Sequence, residues 1–377
     1  MNGDVDAACS SETARAWVDI DLRALVENAR TIATVSGSRL LPMVKANAYG
    51  LGAVEVARAL DPLDPWGFCV ATVDEGADLR AARVERPIVV ASPLIPAWIN
   101  GLLRYQLRPL IGDLGALQAW MAGTAEPFHV KVDTGMSRSG IRWDDRATLA
   151  ALAPMLANAA AWEGIATHFH SSESDAAASE RQWERFQHVL AALPRRPPLI
   201  HAANSAAALR GRRYAADLIR PGIFLYGGEA GMVRPRPVAA LRARVVALRT
   251  LAPGDSVSYG ATWRAERPTT VATLGIGYAD GLIRAATDAP DGAFRPARMV
   301  ELGGKAVPII GRVTMDMCMV VAGDDVRIGD VATIYGGLIS LDEHAKACGT
   351  ISYELLTALG VRIPRRYGSL RCSSDQR

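Results

Sequence analysis

The chain has 377 residues, half of them apolar, with 42 Lys and Arg against 39 Asp and Glu and a formal net charge of +3. That length accommodates two domains, or one large barrel with an appendage. The near balance of intermixed charges argues against a surface dedicated to nucleic acid or an anionic membrane. Five cysteines, Cys9, Cys69, Cys318, Cys348 and Cys372, lack metal-ligand spacing, so reduced thiols in a cytoplasmic protein without a metal are the expectation.

Residues 1–14 are small, acidic and polar, read as a disordered tail; they lack the basic segment and apolar core of a secretory signal. No apolar run reaches the length of a membrane span. Residues 17–22 alternate as a strand does, and 22–33 have helical spacing. Eight short apolar runs then follow, at 40–44, 66–70, 87–90, 107–111, 128–132, 164–167, 198–201 and 217–219. Helical stretches at 53–60, 74–82, 114–121 and 179–193 lie between them. Alternating strands and helices signal a parallel sheet, and eight strands are the number that closes a (β/α)8 barrel. An open doubly wound sheet would alternate too, but no GxGxxG follows the first strand.

From about residue 243 the texture changes. Runs at 245–250, 269–276, 298–302, 306–310, 317–321 and 330–335 read as strands separated by Gly-rich turns, giving a mostly β domain over 243–377. The barrel domain then occupies 15–242, with 229–240 as connector.

The polar residues cluster just after the barrel runs, on the rim where barrels build their sites. The first cluster is Val44-Lys45-Ala46-Asn47-Ala48-Tyr49-Gly50-Leu51-Gly52. A lysine ending a buried strand is desolvated, which favours the neutral amine and imine formation with a carbonyl. A surface lysine snorkelling from the strand end has the same sequence, so the motif alone leaves both open. Arg220-Pro221-Gly222-Ile223 ends the last strand with free backbone N–H groups, a ready phosphate site, and His201-Ala202-Ala203-Asn204-Ser205 adds an amide and a hydroxyl. Ordinary turns and caps use these residues equally. Arg138, in the loop after Asp133, has the planar fork that binds carboxylates. In the β domain, Tyr278 lies between small residues in Gly275–Gly281, and Met315-Asp316 interrupts two strands; a tyrosine beside glycine is also common packing.

Together and in order, these segments resemble the alanine racemase family over nearly the whole chain. Its motifs are similar to 44–52, Lys131-Val132-Asp133-Thr134-Gly135, Thr167-His168-Phe169, 201–205, 220–223, Val257-Ser258-Tyr259-Gly260, 277–281 and 311–316. The resemblance implies an eight-stranded α/β barrel followed by a mostly β domain that the strand at 17–22 joins. It also implies pyridoxal 5'-phosphate as cofactor, and a head-to-tail homodimer with shared sites. The implied activity is interconversion of L- and D-alanine, as in D-alanine biosynthesis for the cell wall. Lys45 would be the Schiff-base residue and one acid/base; Tyr278 of the partner subunit would be the other, hydrogen-bonded to His168. Tyr49, Asn204, Ser205, Gly222 and Ile223 would hold the phosphate side, and Arg220 would face the pyridine nitrogen. Arg138 and the backbone of Met315 would bind the substrate carboxylate, supported by Lys131 and Asp316; in some members the lysine matching Lys131 is carbamylated.

Leu51, Ser137, Ser139 and Thr314 depart from the usual pattern, as does Val361 where some members carry an entrance tyrosine. These departures bear on substrate range. A serine or broad-specificity racemase is the nearest alternative. A basic amino-acid decarboxylase is disfavoured because Arg220 stands where that class pairs the ring nitrogen with a carboxylate. A non-catalytic pyridoxal-phosphate carrier is disfavoured by the β domain with Tyr278 and Met315.

Overall fold

The computed structural model describes residues 13–284 and 298–370. Cys9, Cys372 and residues 1–12 of the expected tail lie outside the described residues. Cys69, Cys318 and Cys348 are free thiols. The chain divides into two compact units, Val26–Leu225 with Glu229–Pro235, and the residues on either side.

Strand β1 (Ala16–Ile20) precedes the barrel but pairs antiparallel with residues 239–243 and parallel with 365–367. The barrel unit carries β2 (Arg39–Leu40), β3 (Phe68–Val70), β4 (Ile88–Val90), β5 (Arg108–Ile111), β6 (Phe128–Asp133), β7 (Ile141–Arg142), β8 (Trp162–Ala166), β9 (Leu199–His201) and β10 (Leu218–Ile219). All but β7, a short partner of β6, form a parallel sheet in the order β2-β10-β9-β8-β6-β5-β4-β3. A bridge between Met43 and Cys69, with Val44 N donating to Cys69 O at 2.9 Å, closes it into the eight-stranded barrel that the alternation predicts. Leu41, Cys69, Val89, Leu110, Ala166 and Leu218 form a packed interior layer. Such filling makes the barrel a core rather than a pore and leaves the strand ends to carry chemistry.

Helix starts follow from the sequence. Asp113, Asp145, Asp175 and Asn204 each accept a hydrogen bond from the backbone N–H three residues on, and Thr72 with Glu75 forms a reciprocal capping box. They open α3 (Val73–Ala81), α5 (Leu114–Gly123), α6 (Arg146–Ala157), α7 (Ala176–Ala192) and α8 (Ser205–Leu209), which join α1 (Leu22–Ser36), α2 (Ala53–Leu60) and α4 (Ile99–Arg104). The sequence periodicity does not mark α4, α6 or α8. Two of these are single short turns, and α6, rich in Ala and Leu, has little amphipathic contrast.

In the other unit β11 (Ala239–Leu251) is a long strand that starts inside the expected connector, because Ala239 and Ala240 pair with Ile20 and Asp19. Its first part pairs with β1 and with β18 (Val331–Tyr335), and its last part with β14 (Thr269–Leu274). Register shifts after Leu241 and Val245 bend it between the two sets of partners. The order β14-β17-β16-β15-β18-β11, with β11 returning to β14, closes a second barrel; it includes β15 (Met299–Leu302), β16 (Lys305–Ile310) and β17 (Cys318–Val321). The hairpin of β12 (Ser256–Val257) and β13 (Trp263–Arg264), helices α9 (Leu341–Ala347) and α10 (Ser352–Thr357), and β19 (Arg365–Tyr367) complete it. No described helix is long and apolar enough to cross a membrane.

Candidate active site

Lys45 follows the barrel's first strand and begins an unusual turn. Ala46, Asn47, Ala48 and Tyr49 all lie in the left-handed region, with φ between 52° and 55°. For residues with a Cβ that conformation costs about 1–2 kcal/mol each. Side-chain acceptors hold it: Glu75 Oε1, from another helix, accepts from Ala46 N at 2.6 Å and Asn47 Oδ1 from Ala53 N at 2.8 Å. Glycines 50 and 52, with φ of 82° and 96°, let the chain leave the turn. Lys45 is half-buried rather than enclosed, and its amine has no hydrogen-bond partner among the described residues. Strain concentrated at one uncommitted lysine is how functional side chains are often presented.

Arg220 follows β10 and is buried. Its Nη1 donates to His201 O at 2.8 Å and His201 Nδ1 at 2.7 Å. Its Nη2 donates to Thr167 O at 2.6 Å and Ala202 O at 3.1 Å, with His168 Nδ1 at 3.3 Å. The terminal nitrogens are therefore spent, and Nε–H is the donor left without an acceptor among the described residues. Burial pushes the guanidinium down to about 10, so it stays charged at neutral pH. His168 is pushed down to about 3 by burial and then by Arg220, Arg138, Lys131 and Lys45. It is neutral in any ordinary buffer, and the Arg220 contact on Nδ1 puts its proton on Nε2.

Ser205 Oγ accepts from Gly222 N at 2.9 Å and Phe224 N at 3.4 Å. With both lone pairs engaged, its hydroxyl hydrogen is free to donate. Gly222 must be glycine, since a Cβ there would lie 2.3 Å from Tyr49 Oη. Its N–H is spent on Ser205, whereas Ile223 N–H has no acceptor among the described residues. Asn204 caps α8: its Oδ1 takes Ala207 N at 3.0 Å and Ser172 Oγ at 2.8 Å.

Lys131 and Asp133 lie at the end of β6. Asp133 Oδ1 accepts from Gly135 N and Ser137 N, shaping the loop that presents the exposed Arg138. Lys131 is pushed down to about 8 by burial, then by Arg138 and Arg220. Its Nζ donates to Ser139 Oγ at 2.5 Å, so one of the departures from the family pattern supplies this lysine with a partner.

The remaining expected residues lie together in the other unit. Tyr278 N donates to Thr314 O and Ala279 N to Met315 O, both at 3.0 Å, and a Cβ on Gly277 would meet Met315 O at 2.3 Å. Thr314, another departure, locks the turn by accepting Met317 N on its hydroxyl at 3.2 Å. Buried Asp280 and half-exposed Asp316 are clamped by two arginines: Arg362 reaches both at 2.6 Å, and Arg15 reaches them at 3.2 and 3.3 Å. The backbone is therefore rigid, but Tyr278 is 40% and Met315 53% exposed, and the Tyr278 hydroxyl has no partner among the described residues. Val361 is fully exposed.

Residues 20–230 match the family description "Alanine racemase, N-terminal domain", and 238–367 match "Alanine racemase, C-terminal domain". The chain belongs to the alanine racemase family. The alanine racemase of Deinococcus radiodurans is 42% identical over 364 residues, covering 94% of this chain and 99% of that one. The crystal structure of alanine racemase from E. faecalis superposes with a TM-score of 0.84 at 33% identity, covering 94% of this chain and 98% of its own. That from Bartonella henselae with covalently bound pyridoxal phosphate gives 0.85 at 31% identity, covering 94% and 100%. Alanine racemases are pyridoxal-phosphate-dependent isomerases, and the function of this chain is that of an alanine racemase.

The alanine racemase motifs missed His129, Glu163 and Arg108, which make a charged and imidazole-lined interior beneath the motif residues of β6 and β9. The available signal was His129 two residues before Lys131: alternate positions on a strand share a face. Glu163 could not have been found this way, because a register jump re-aims it.

Proposed function

We propose that the chain interconverts L- and D-alanine by a two-base mechanism, with Lys45 on one face of the substrate and Tyr278 of the partner subunit on the other. The observation carrying this reading is the pair of uncommitted groups on one rim, the Lys45 amine and the Arg220 Nε–H. The residues fit pyridoxal phosphate. Arg220 can only donate, which suits a ring nitrogen that stays unprotonated. The cradle that a Cβ on Gly222 would fill, the outward Ser205 hydroxyl and the Ile223 N–H suit a phosphate, with Tyr49 beside them. Asn204 acts behind Ser205 by capping its helix.

Bound there, the cofactor supplies a carbonyl that takes up the amino acid and an electron sink that acidifies its α-hydrogen. Lys45 would hold the cofactor covalently; once the amino acid has displaced its amine, the freed Nζ would take or return the proton. Tyr278 does so through Oη, with His168 Nε2–H as its hydrogen-bond partner. Arg138 and the Met315 N–H bind the substrate carboxylate, Lys131 stands behind Arg138, and Asp316 holds the Met315 turn. Exposed Tyr259, Tyr278, Met315 and Met317 on joined turns supply an apolar face for a homodimer. A cytoplasmic enzyme supplying D-alanine to the cell wall fits the free thiols at Cys69, Cys318 and Cys348.

Chiral chromatography of L-alanine with cofactor-saturated protein should show an approach to equal enantiomers. Lys45→Ala should lower the rate at least about 10⁴-fold, since it removes both the covalent link and an acid/base group. Co-expressing Lys45→Ala with Tyr278→Phe should restore activity in mixed dimers, where one site has both groups. No recovery would mean that each chain serves its own site.

A further inference from the structure

We propose that Glu163 is a positioning residue for Arg220, acting across the barrel interior through His129 and His201. The inference rests on the reading of Arg220 as the group facing the cofactor's ring nitrogen, and adds a control that lies outside the site itself.

Four contacts run in series. Arg220 Nη1 meets His201 Nδ1 at 2.7 Å, His201 Nε2 meets His129 Nδ1 at 2.8 Å, and His129 Nε2 meets Glu163 Oε2 at 3.1 Å. Arg108 Nε closes the series on the same carboxylate oxygen at 2.7 Å. Both imidazoles are fully buried, whereas the Arg108 and Glu163 side chains keep 21% and 23% exposure. The carboxylate therefore has access to water while everything between it and Arg220 has none.

The ends of the series dictate its middle. A guanidinium cannot accept and a carboxylate cannot donate, and each neutral imidazole has one donor and one acceptor. All contacts are satisfied by one arrangement only, with the proton on Nε2 in both rings. Burial lowers the proton affinity of both histidines and keeps them neutral. Burial pushes the Glu163 carboxyl up, but His129 and Arg108 outweigh it and hold it ionised below its ordinary range.

The backbone is shaped for this contact. Phe128 pairs with Trp162, but His129 pairs with Gly164, so Glu163 is the extra residue of a bulge, a device that re-aims a side chain. A Cβ on Gly164 would lie 2.4 Å from His129 Nδ1, so only glycine leaves room for the ring. Trp66 packs edge-on to His129, with ring centroids 5.5 Å apart, and limits its rotation.

Without the carboxylate, His129 Nε2–H has no acceptor in a dry interior, which is strongly unfavourable. The proton shifts to Nδ1, facing His201, whose own proton then shifts to Nδ1 and faces Arg220. Donor meets donor, and Arg220 loses the contact that aims it.

The test is 15N NMR of imidazole-labelled, cofactor-loaded protein; with six histidines, single substitutions assign the signals. Both His129 and His201 should be Nε2–H and should not titrate from about pH 6 to about pH 9. Glu163→Leu should move both protons to Nδ1, shift the cofactor's visible absorbance and lower kcat about tenfold or more, with KM changed less. Glu163→Gln keeps an acceptor and should retain the tautomers, move the His129 Nε2 signal and give an intermediate rate. Should Glu163→Leu not fold, the wild type and Glu163→Gln decide. A wild-type Nδ1 proton, or a histidine signal unmoved in both variants, would overturn the relay. Flipped tautomers with wild-type kcat and absorbance would remove the positioning role. A loaded protein that racemises nothing would instead sink the reading of the site, while the tautomers still decide the relay.

Discussion

The barrel rim and the Tyr278 turn prepare their groups by opposite means. At the rim, side chains are buried among like charges: Arg220 has its terminal nitrogens spent on protein acceptors, and burial followed by four cations presses His168 toward neutrality. At the turn, Tyr278 and Met315 stand in solvent, and rigidity comes from the backbone beneath, interlocked by hydrogen bonds and clamped by Arg15 and Arg362. A group that must stay oriented under a bound ligand is held by desolvated contacts. A group proposed to serve a second copy is left uncommitted on a stiff support.

The largest effect that would break this comparison is at Tyr278. Tyr278→Phe should lower kcat by about 10²- to 10⁴-fold, the usual worth of a general acid or base, with the melting temperature unchanged because the hydroxyl has no partner among the described residues of its own chain. A rate within a few fold of wild type would leave Lys45 as the only base. Gly222→Ala tests the rim: the 2.3 Å approach to Tyr49 Oη forces a shift in a packed cradle. Cofactor affinity should weaken about tenfold, read by the absorbance of retained cofactor after dialysis; unchanged retention would place the phosphate elsewhere.

The smallest effect is on stability. Burial, with the surrounding cations, pushes His168 down to about 3 in the folded chain from its ordinary value near 6.5. Between those values the unfolded chain binds more protons, so stability is complete above about pH 6.5 and declines as pH falls toward 3. His168→Gln should melt with a shallower pH dependence over that window, measured by thermal unfolding. Parallel curves would mean that the ring gains its proton without cost when folded.

Much of this was legible without coordinates. Residues that end strands can be read because barrel strands alternate regularly with helices, which placed Lys45, His168, Ser205 and Arg220 on one rim. Other features were hidden for stated reasons. The left-handed run of Ala46 to Tyr49 has no glycine to announce it, and is held by Glu75 from another element. Asn204 reads as a ligand, but its Oδ1 is taken up in capping α8. Gly222 offers a space rather than an N–H.

By itself the sequence determined the order of elements, the two-part organisation and the residue types available to the chemistry, because periodicity, turn residues and motif spacing are properties of the chain. Only the tertiary structure decided which donors remain free, that Ser139 serves Lys131, and that Glu163 reaches His129. The last depends on the register between β6 and β8, strands well separated in the chain, where one bulge re-aims a side chain and no local pattern records it; the first two depend on how loops and strand ends come together in space.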